Sequence, residues 1–284
     1  MSPTIQPLPR LAVFDLDGVV YRGPQAVPGA SRLVAMLRDA GVAVRFATNN
    51  SMSTRAEYVS RLAAHGIAAD EAEIITSTSA TIEHLRVHLP EVRRVLAVGA
   101  PGMLIELRAA GFQATPAADA APPDWFGAPL AERYDAVVAG LDQAIDYRRL
   151  GIAAAAIRAG ARFIATNADV RYPVPDGFVP GAGSIVAALR ATTGVEPLVI
   201  GKPQPTMFQA ILEAAGVAPS EALVIGDNPD SDIPAARRAG IRSVLVLTGV
   251  ADARAAAALD GDRRPDWIAE GPSDVAGLLG LPFS

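Results

Sequence analysis

Residues 11–18 read Leu-Ala-Val-Phe-Asp-Leu-Asp-Gly, an apolar run followed by two carboxylates and a glycine. An unbroken apolar run of this length is typical of a strand that is buried on both faces of a parallel sheet. In open α/β sheets, ligands bind just beyond the carboxyl ends of the strands. We therefore expect Asp15 and Asp17 at the mouth of a ligand site, where Gly18 lets the chain turn.

Apolar runs of the same kind recur along the chain and alternate with helical segments. Strands are predicted over Leu11–Phe14, Val42–Ala47, Val95–Val98, Ala136–Ala139, Arg162–Ala165, Pro197–Ile200, Ala222–Ile225 and Ser243–Val246. Helices are predicted over Ala30–Ala40, Thr54–His65, Tyr147–Ala159, Thr206–Ala215 and Ile233–Ala239. This alternation predicts an α/β fold with right-handed crossovers. Proline and glycine predict irregular segments over residues 113–131 and 173–183.

The composition excludes several classes of protein. Of the 284 residues, 50% are apolar and 19% are charged, which is enough for one large core or two modest ones. The net charge of −5 gives no reason to expect a nucleic-acid or membrane partner. The chain has no Cys, so a thiolate metal site and a Cys nucleophile are excluded. Residues 1–10 lack the apolar stretch of a signal peptide, and we expect a cytoplasmic protein.

A second acidic cluster occupies residues 226–232, which read Gly-Asp-Asn-Pro-Asp-Ser-Asp after the predicted strand Ala222–Ile225. A helix N-terminus needs only one acidic cap, whereas three carboxylates this close repel one another unless a cation lies among them. Oxygen ligands from two strand ends suit Mg²⁺, which binds few carboxylates and keeps several waters. The pattern therefore predicts a magnesium site.

Two more strand ends carry groups that suit an anion. Lys202 lies in Gly-Lys-Pro after the predicted strand Pro197–Ile200, and residues 48–51 read Thr-Asn-Asn-Ser before a predicted helix. The lysine supplies positive charge, and the second segment supplies a hydroxyl, amides and helix-end N–H groups. Each segment alone is also explained as an ordinary loop or helix cap. Together the four strand ends supply what phosphoryl transfer requires, namely positioning and neutralisation of charge.

These four segments resemble the motifs of the haloacid dehalogenase superfamily, in the branch of capped phosphatases that includes p-nitrophenyl phosphatase-like, phosphoglycolate, glycerol phosphate and pyridoxal phosphatases. The match runs over nearly the whole chain. The resemblance implies a Rossmann-like parallel-sheet core of residues 1–87 and 197–284, with an inserted α/β cap of residues 88–196. It also assigns Thr48-Asn49 to the core motif and the similar pair Thr166-Asn167 to the cap.

The resemblance implies a role for each motif residue. Asp15 would be the nucleophile, Asp17 the general acid and base, and Lys202 the catalytic cation. Phosphate would be bound by Thr48, Asn49, Asn50 and Lys202. The metal ligands would be Asp15, Asp17 through its backbone carbonyl, and Asp227, while Asp232 would orient a water on the metal or Lys202. The expected reaction is magnesium-dependent hydrolysis of small phosphomonoesters through an aspartyl-phosphate.

Substrate choice is expected to lie in the cap. By the resemblance, residues 167–173 match the stretch that faces the active site in relatives, so Asn167, Asp169, Arg171 and Tyr172 are candidate specificity residues. Glycerol phosphate, phosphoglycolate, nucleoside monophosphates, pyridoxal phosphate and p-nitrophenyl phosphate are all candidate substrates. Relatives often pair through their caps, so a homodimer is expected. A non-catalytic phospholigand-binding protein and a phosphomutase are the two alternatives.

Overall fold

The computed structural model describes residues 4–174 and 176–283. The chain packs as two compact units. The first unit comprises residues 4–48, 55–75 and 202–283, and the second comprises residues 49–54 and 76–201. Within the described ranges, no helix combines the length and the apolar character needed to span a membrane.

The predicted cap, residues 88–196, lies inside the second unit. That unit also takes in residues 76–87 and, less expectedly, residues 49–54, which directly follow the predicted phosphate-binding Thr48. The boundaries of the cap at residues 88 and 196 are predictions from the sequence.

The first unit contains a parallel-sheet core and its helices. Apart from residues 49–54, which belong to the second unit, the N-terminal part of the chain forms β1 (Leu11–Phe14), β2 (Tyr21–Arg22), β3 (Gln25–Ala26), α1 (Ala30–Asp39), β4 (Ala43–Thr48), α2 (Arg55–Ala64) and β5 (Ile74–Thr76). The second unit follows with α3 (Ser77–His88), β6 (Arg94–Val98), α4 (Pro101–Ala109), β7 (Gln113–Pro116), β8 (Ala136–Ala139), α5 (Tyr147–Arg158), β9 (Arg162–Ala165), β10 (Arg171–Val174), β11 (Gly177–Pro180), α6 (Ala182–Thr193) and β12 (Leu198–Val199). The first unit then resumes with α7 (Thr206–Ala215), β13 (Ala222–Gly226), α8 (Asp232–Arg238), β14 (Arg242–Val246), α9 (Ala253–Ala257), β15 (Trp267–Ala269) and α10 (Pro272–Leu278).

Within the described residues, the main sheet of the first unit has six strands in the order β15-β14-β13-β1-β4-β5. The strand β1 pairs in parallel with β13 on one side and β4 on the other, and all four of its residues are buried. Phe14 and Val246 pack on one face with Leu33 of α1, while Leu245 packs on the opposite face with Ile233 of α8. Burial on both faces explains why the sequence shows unbroken apolar runs instead of alternation.

The second unit has its own sheet, in the order β12-β9-β8-β6-β7 over the described part of the chain. The pairings within it are parallel. Leu96, Val137 and Phe163 from neighbouring strands pack with Ile152 of α5 and Leu189 of α6. The unit therefore has an independent hydrophobic core, as the α/β pattern predicts.

Two segments that were predicted to be irregular contain strands. Residues 113–116 form β7, which pairs with β6 at the edge of the sheet, where a proline is tolerated. Residues 171–174 pair antiparallel with residues 177–180 as a two-stranded ribbon. Pro175, which was part of the second prediction, lies outside the described residues. The first prediction holds for residues 117–131, which form no helix or strand, and fails at β7, whereas the second fails over most of its length. Short proline-bearing edge strands carry little apolar periodicity.

Candidate active site

The strand order of the first unit brings distant acidic residues together. The strands β1 and β13 are neighbours, and the backbone N–H of Asp15 donates to the carbonyl of Ile225 at 2.9 Å. Asp15 therefore leaves β1 beside the point where Asp227 follows β13. One carboxylate oxygen from each of Asp15, Asp227 and Asp232 lies within 4.8 Å of the other two.

Lys202 is the cation at this cluster. Its Nζ donates to Asp15 Oδ1 at 2.5 Å, to Asp232 Oδ1 at 2.6 Å and to the carbonyl of Ala47 at 3.2 Å. The side chain is only 3% exposed. Burial by itself lowers the pKa of Lys202, but the charges of Asp15 and Asp232 more than offset it, so the pKa lies above its usual range and the lysine stays charged.

One lysine does not balance three carboxylates. Burial raises the pKa of Asp227 to about 7, and the charge of Asp232 adds to this effect. Burial also raises the pKa of Asp15, as do the charges of Asp232 and Asp227, against the opposing effect of Lys202. An all-oxygen group with excess negative charge fits a hard divalent cation such as Mg²⁺.

The acidic residues at the predicted metal site differ in their contacts. Asp232 accepts from Lys202 through Oδ1 and from the N–H of Asn228 through Oδ2 at 3.1 Å, so it is tied to the protein on both oxygens. The side chain of Asp17 is not part of the carboxylate group. Its predicted contribution is the backbone carbonyl.

The segment 248–250 also contacts the site, although it was not predicted. The N–H of Val250 donates to Asp227 Oδ2 at 2.7 Å, and Thr248 Oγ1 donates to the carbonyl of Gly18 at 2.6 Å. Gly18 has a φ of 81°, and a Cβ there would collide with the Asp227 carboxylate. The signal was present in the sequence, because residues 248–250 follow another predicted strand, Ser243–Val246.

Asp17 lies at the surface, but its carboxylate is crowded by protein atoms. This loss of water raises its pKa, while the positive charges of Arg61 and Lys202 act in the opposite direction. The guanidinium carbon of Arg61 lies 5.7 Å from the ring centre of Tyr21 and 5.1 Å from that of Tyr58. Arg61 was not predicted, because nothing distinguishes it from other arginines on a helix surface.

The predicted phosphate-binding residues lie on both sides of a unit boundary. Thr48 is the last residue of β4 and is 3% exposed. Asn49 and Asn50 belong to the second unit, where Asn49 Nδ2 donates to Asp169 Oδ2 at 2.9 Å. Asn50 Oδ1 accepts from the N–H of Met52 at 2.9 Å, which closes a tight turn after the strand.

The candidate specificity residues have two different environments in the second unit. Asn167 is 4% exposed and Asp169 is half-buried, and both are hydrogen-bonded to Asn49. Arg171 and Tyr172 lie on β10, and the guanidinium carbon of Arg171 is 4.5 Å from the ring centre of the exposed Phe178.

Comparison with known proteins gives consistent matches. The model of the haloacid dehalogenase-like hydrolase family matches residues 12–113, and a HAD-hydrolase-like model matches residues 199–275. The chain is 35% identical to the 5′-nucleotidase YutF of Bacillus subtilis over 84% of this chain and 87% of that protein.

Solved structures of phosphatases are also similar to this chain. The 4-nitrophenylphosphatase of Thermotoga maritima has a TM-score of 0.84 and 30% identity, covering 95% of this chain and 97% of that one. The glycerol phosphate phosphatase of Mycobacterium tuberculosis, in complex with magnesium, has a TM-score of 0.81 and 34% identity, covering 97% and 78%. The protein belongs to the haloacid dehalogenase-like hydrolases, in their capped phosphatase branch, and is a phosphoric monoester hydrolase.

Proposed function

We propose that this phosphatase hydrolyses small phosphomonoesters through an aspartyl-phosphate on Asp15, with Mg²⁺ as its cofactor. The observation that carries the proposal is the position of Lys202 Nζ, between Asp15 Oδ1 at 2.5 Å and Asp232 Oδ1 at 2.6 Å, beside the Asp227 carboxylate. A buried lysine that holds a carboxylate at the end of β1 suits a nucleophile that must approach an anionic substrate.

In the first step, a carboxylate oxygen of Asp15 attacks phosphorus and the bond from phosphorus to the ester oxygen breaks. Like charge opposes this attack, because the nucleophile and the phosphate are both anionic. Lys202 reduces that repulsion and fixes the orientation of the Asp15 carboxylate through its hydrogen bond. Its own charge is secured by the second carboxylate, that of Asp232.

Asp17 serves as the acid and then as the base. It gives its proton to the leaving ester oxygen, and the resulting carboxylate later takes a proton from the attacking water. The water oxygen bonds to phosphorus, the bond from phosphorus to Asp15 breaks, and inorganic phosphate leaves. The raised pKa of Asp17 supports the acid role, because a larger fraction of the carboxyl group is protonated near neutral pH.

The metal would be held by Asp15, Asp227 and the backbone carbonyl of Asp17, with Asp232 supporting Lys202. When bound, Mg²⁺ supplies positive charge that neutralises the phosphoryl oxygens. Excess negative charge at the three-carboxylate group supports this assignment, as does the magnesium complex of the related glycerol phosphate phosphatase.

Thr48, Asn49 and Asn50 are proposed to bind the phosphoryl oxygens. Residues of the second unit are proposed to determine which leaving groups are accepted. The relatives are named for different substrates, a nucleotide, 4-nitrophenyl phosphate and glycerol phosphate, which supports a small phosphoester without selecting one.

The test is release of inorganic phosphate from a panel of these esters, with and without Mg²⁺, by the wild-type protein and by Asp15→Asn. We expect release that requires both Mg²⁺ and Asp15. Binding of a phosphate ester without release would favour the non-catalytic alternative. Transfer that requires a bisphosphate activator and yields no free phosphate would favour a phosphomutase. Activity that survives in Asp15→Asn would contradict the proposed nucleophile.

A further inference from the structure

The segment 49–54 begins directly after Thr48 but packs within the second unit. The carbonyl of Asn49 accepts two hydrogen bonds there, from Ser77 Oγ at 2.6 Å and from Asn167 Nδ2 at 2.7 Å. Asn167 follows β9, and Ser77 begins α3. The first peptide group beyond the predicted phosphate-binding strand end is therefore fixed by side chains from two other parts of the chain.

The side chain of Asn49 is held as well. Its Nδ2 donates to Asp169 Oδ2 at 2.9 Å, and the N–H of Asp169 donates to Asn167 Oδ1 at 3.1 Å. Asn49, Asn167 and Asp169 thus form a closed ring of hydrogen bonds. Asn167 is 4% exposed, and both its amide nitrogen and its amide oxygen are used within this ring.

The rest of the segment fits closely against its surroundings. Ser51 is fully buried, and its Oγ accepts from the N–H of Leu141 at 3.3 Å. Gly102 approaches so closely that a Cβ there would collide with the carbonyl of Met52. Such packing resists small displacements, because close-packed interiors have few alternative arrangements.

We propose that Asn167 and Asp169 are positioning residues for the phosphate-binding loop, acting through Asn49, and not contacts for the leaving group. The inference rests on the proposed phosphate-binding role of Thr48, Asn49 and Asn50. A ring that fixes both the backbone and the side chain of Asn49 sets the direction of the loop amides. Displacing reacting groups by about 1 Å can cost roughly 100-fold in rate.

The two roles have different consequences for kinetics. Inorganic phosphate contains no leaving group, so its inhibition constant reports on the groups that bind the phosphoryl oxygens, which include the loop, and not on leaving-group contacts. A positioning residue should affect this constant and should affect all ester substrates alike. A leaving-group contact should change the ranking of substrates and leave phosphate inhibition as it was.

The variants are Asn167→Ala, Asp169→Ala and Asp169→Asn, with Asp124→Ala as the control at an exposed carboxylate of the same unit. We measure kcat/KM for p-nitrophenyl phosphate and glycerol phosphate, and the inhibition constant for inorganic phosphate. Both alanine variants should lose about 10- to 100-fold on both esters and should weaken phosphate inhibition. Asp169→Asn should recover most of the activity, because its amide oxygen can accept the same hydrogen bond from Asn49.

Hydrogen exchange of the amides in residues 49–54, in the ligand-free protein, tests the same inference without any activity. Exchange should accelerate in Asn167→Ala and Asp169→Ala and stay unchanged in Asp124→Ala. If the wild-type protein released no phosphate, the proposed function would fail while this exchange measurement still tested the ring. Unchanged exchange in folded alanine variants, or altered substrate ranking with unchanged phosphate inhibition, would overturn the positioning role.

Discussion

Lys202 Nζ lies 2.5 Å from Asp15 Oδ1, although 187 positions separate the two residues in the chain. The same nitrogen lies 2.6 Å from Asp232 Oδ1, and all three side chains are at most 12% exposed. The lysine therefore neutralises the charge of Asp15, the proposed nucleophile, and also that of Asp232, a buried carboxylate of the fold.

Replacing Lys202 with Met should abolish most of the activity. The substitution keeps the length of the side chain but leaves buried carboxylates without their cation, so we expect kcat to fall by at least about 100-fold. Breaking a buried ion pair from one side also costs about 3 kcal/mol in the free energy of unfolding. Steady-state kinetics and urea unfolding check the two effects separately. An active, equally stable variant would show that the pair is dispensable.

Asp17→Asn should discriminate between substrates by the basicity of their leaving groups. The alkoxide of glycerol phosphate needs a proton as it leaves, whereas p-nitrophenolate does not. We expect kcat/KM to fall by about 100-fold or more for glycerol phosphate and by much less for p-nitrophenyl phosphate. In the proposed mechanism, kcat/KM reports the phosphoryl transfer to Asp15 and not the later hydrolysis. Equal losses on both esters would argue against Asp17 as the acid.

Without metal, the stability of the protein should depend on pH through Asp227. Its folded pKa of about 7 lies above the ordinary value of an aspartate, so the folded state binds more protons than the unfolded state between these two values. The contribution of Asp227 to the free energy of unfolding is fully present below about pH 4 and is lost as the pH rises through about 7. Chemical unfolding at several pH values, in the presence of EDTA, measures the slope.

Two comparisons test the cause of that slope. Asp227→Asn, which cannot ionise, should show a weaker dependence on pH over the same interval. Saturating Mg²⁺ should raise stability most at the higher pH, because the ion binds the ionised carboxylates. A slope that is the same in wild type, variant and Mg²⁺-loaded protein would show that Asp227 is not responsible.

Exchanging both Arg171 and Tyr172 for Ala should change substrate preference. Arg171 presents a guanidinium beside Phe178 on the β10–β11 ribbon, and such a charge favours a leaving group that carries a carboxylate. The ratio of kcat/KM for phosphoglycolate to that for glycerol phosphate should fall by about tenfold. Arg158→Ala, at an exposed position on α5, is the control. An unchanged ratio would show that Arg171 and Tyr172 do not determine substrate preference.

Much of the fold could be predicted from local sequence. The structure confirms the predicted strands at Leu11–Phe14, Ala136–Ala139 and Arg162–Ala165 with the same bounds. Apart from the exposed Arg162, the residues of these strands are buried on both faces, so they appear as unbroken apolar runs. The strand Gln113–Pro116 was missed because a short edge strand with a proline lacks that signal. The hairpin strands Tyr21–Arg22 and Gln25–Ala26 are too short to show any periodicity.

Some features of the candidate site could likewise be predicted from local sequence, whereas others could not. Acidic residues after apolar runs are a local pattern, so Asp15, Asp17, Asp227 and Asp232 could be found by inspection of the sequence alone. The hydrogen bond between Val250 and Asp227, and the position of Arg61 over Tyr21, could not, because they depend on elements that meet only after folding.

The sequence was sufficient for the fold class and for the residues expected at the strand ends, since hydrophobic period and strand termination are properties of neighbouring residues. Folding was needed to place β13 beside β1, which makes one group of carboxylates from separate segments and puts Lys202 among them. It was also needed to join the two similar pairs, Thr48-Asn49 and Thr166-Asn167, through the hydrogen bond from Asn167 to the carbonyl of Asn49. Strand order and hydrogen bonds between distant segments arise from packing of the whole chain, which no local pattern encodes.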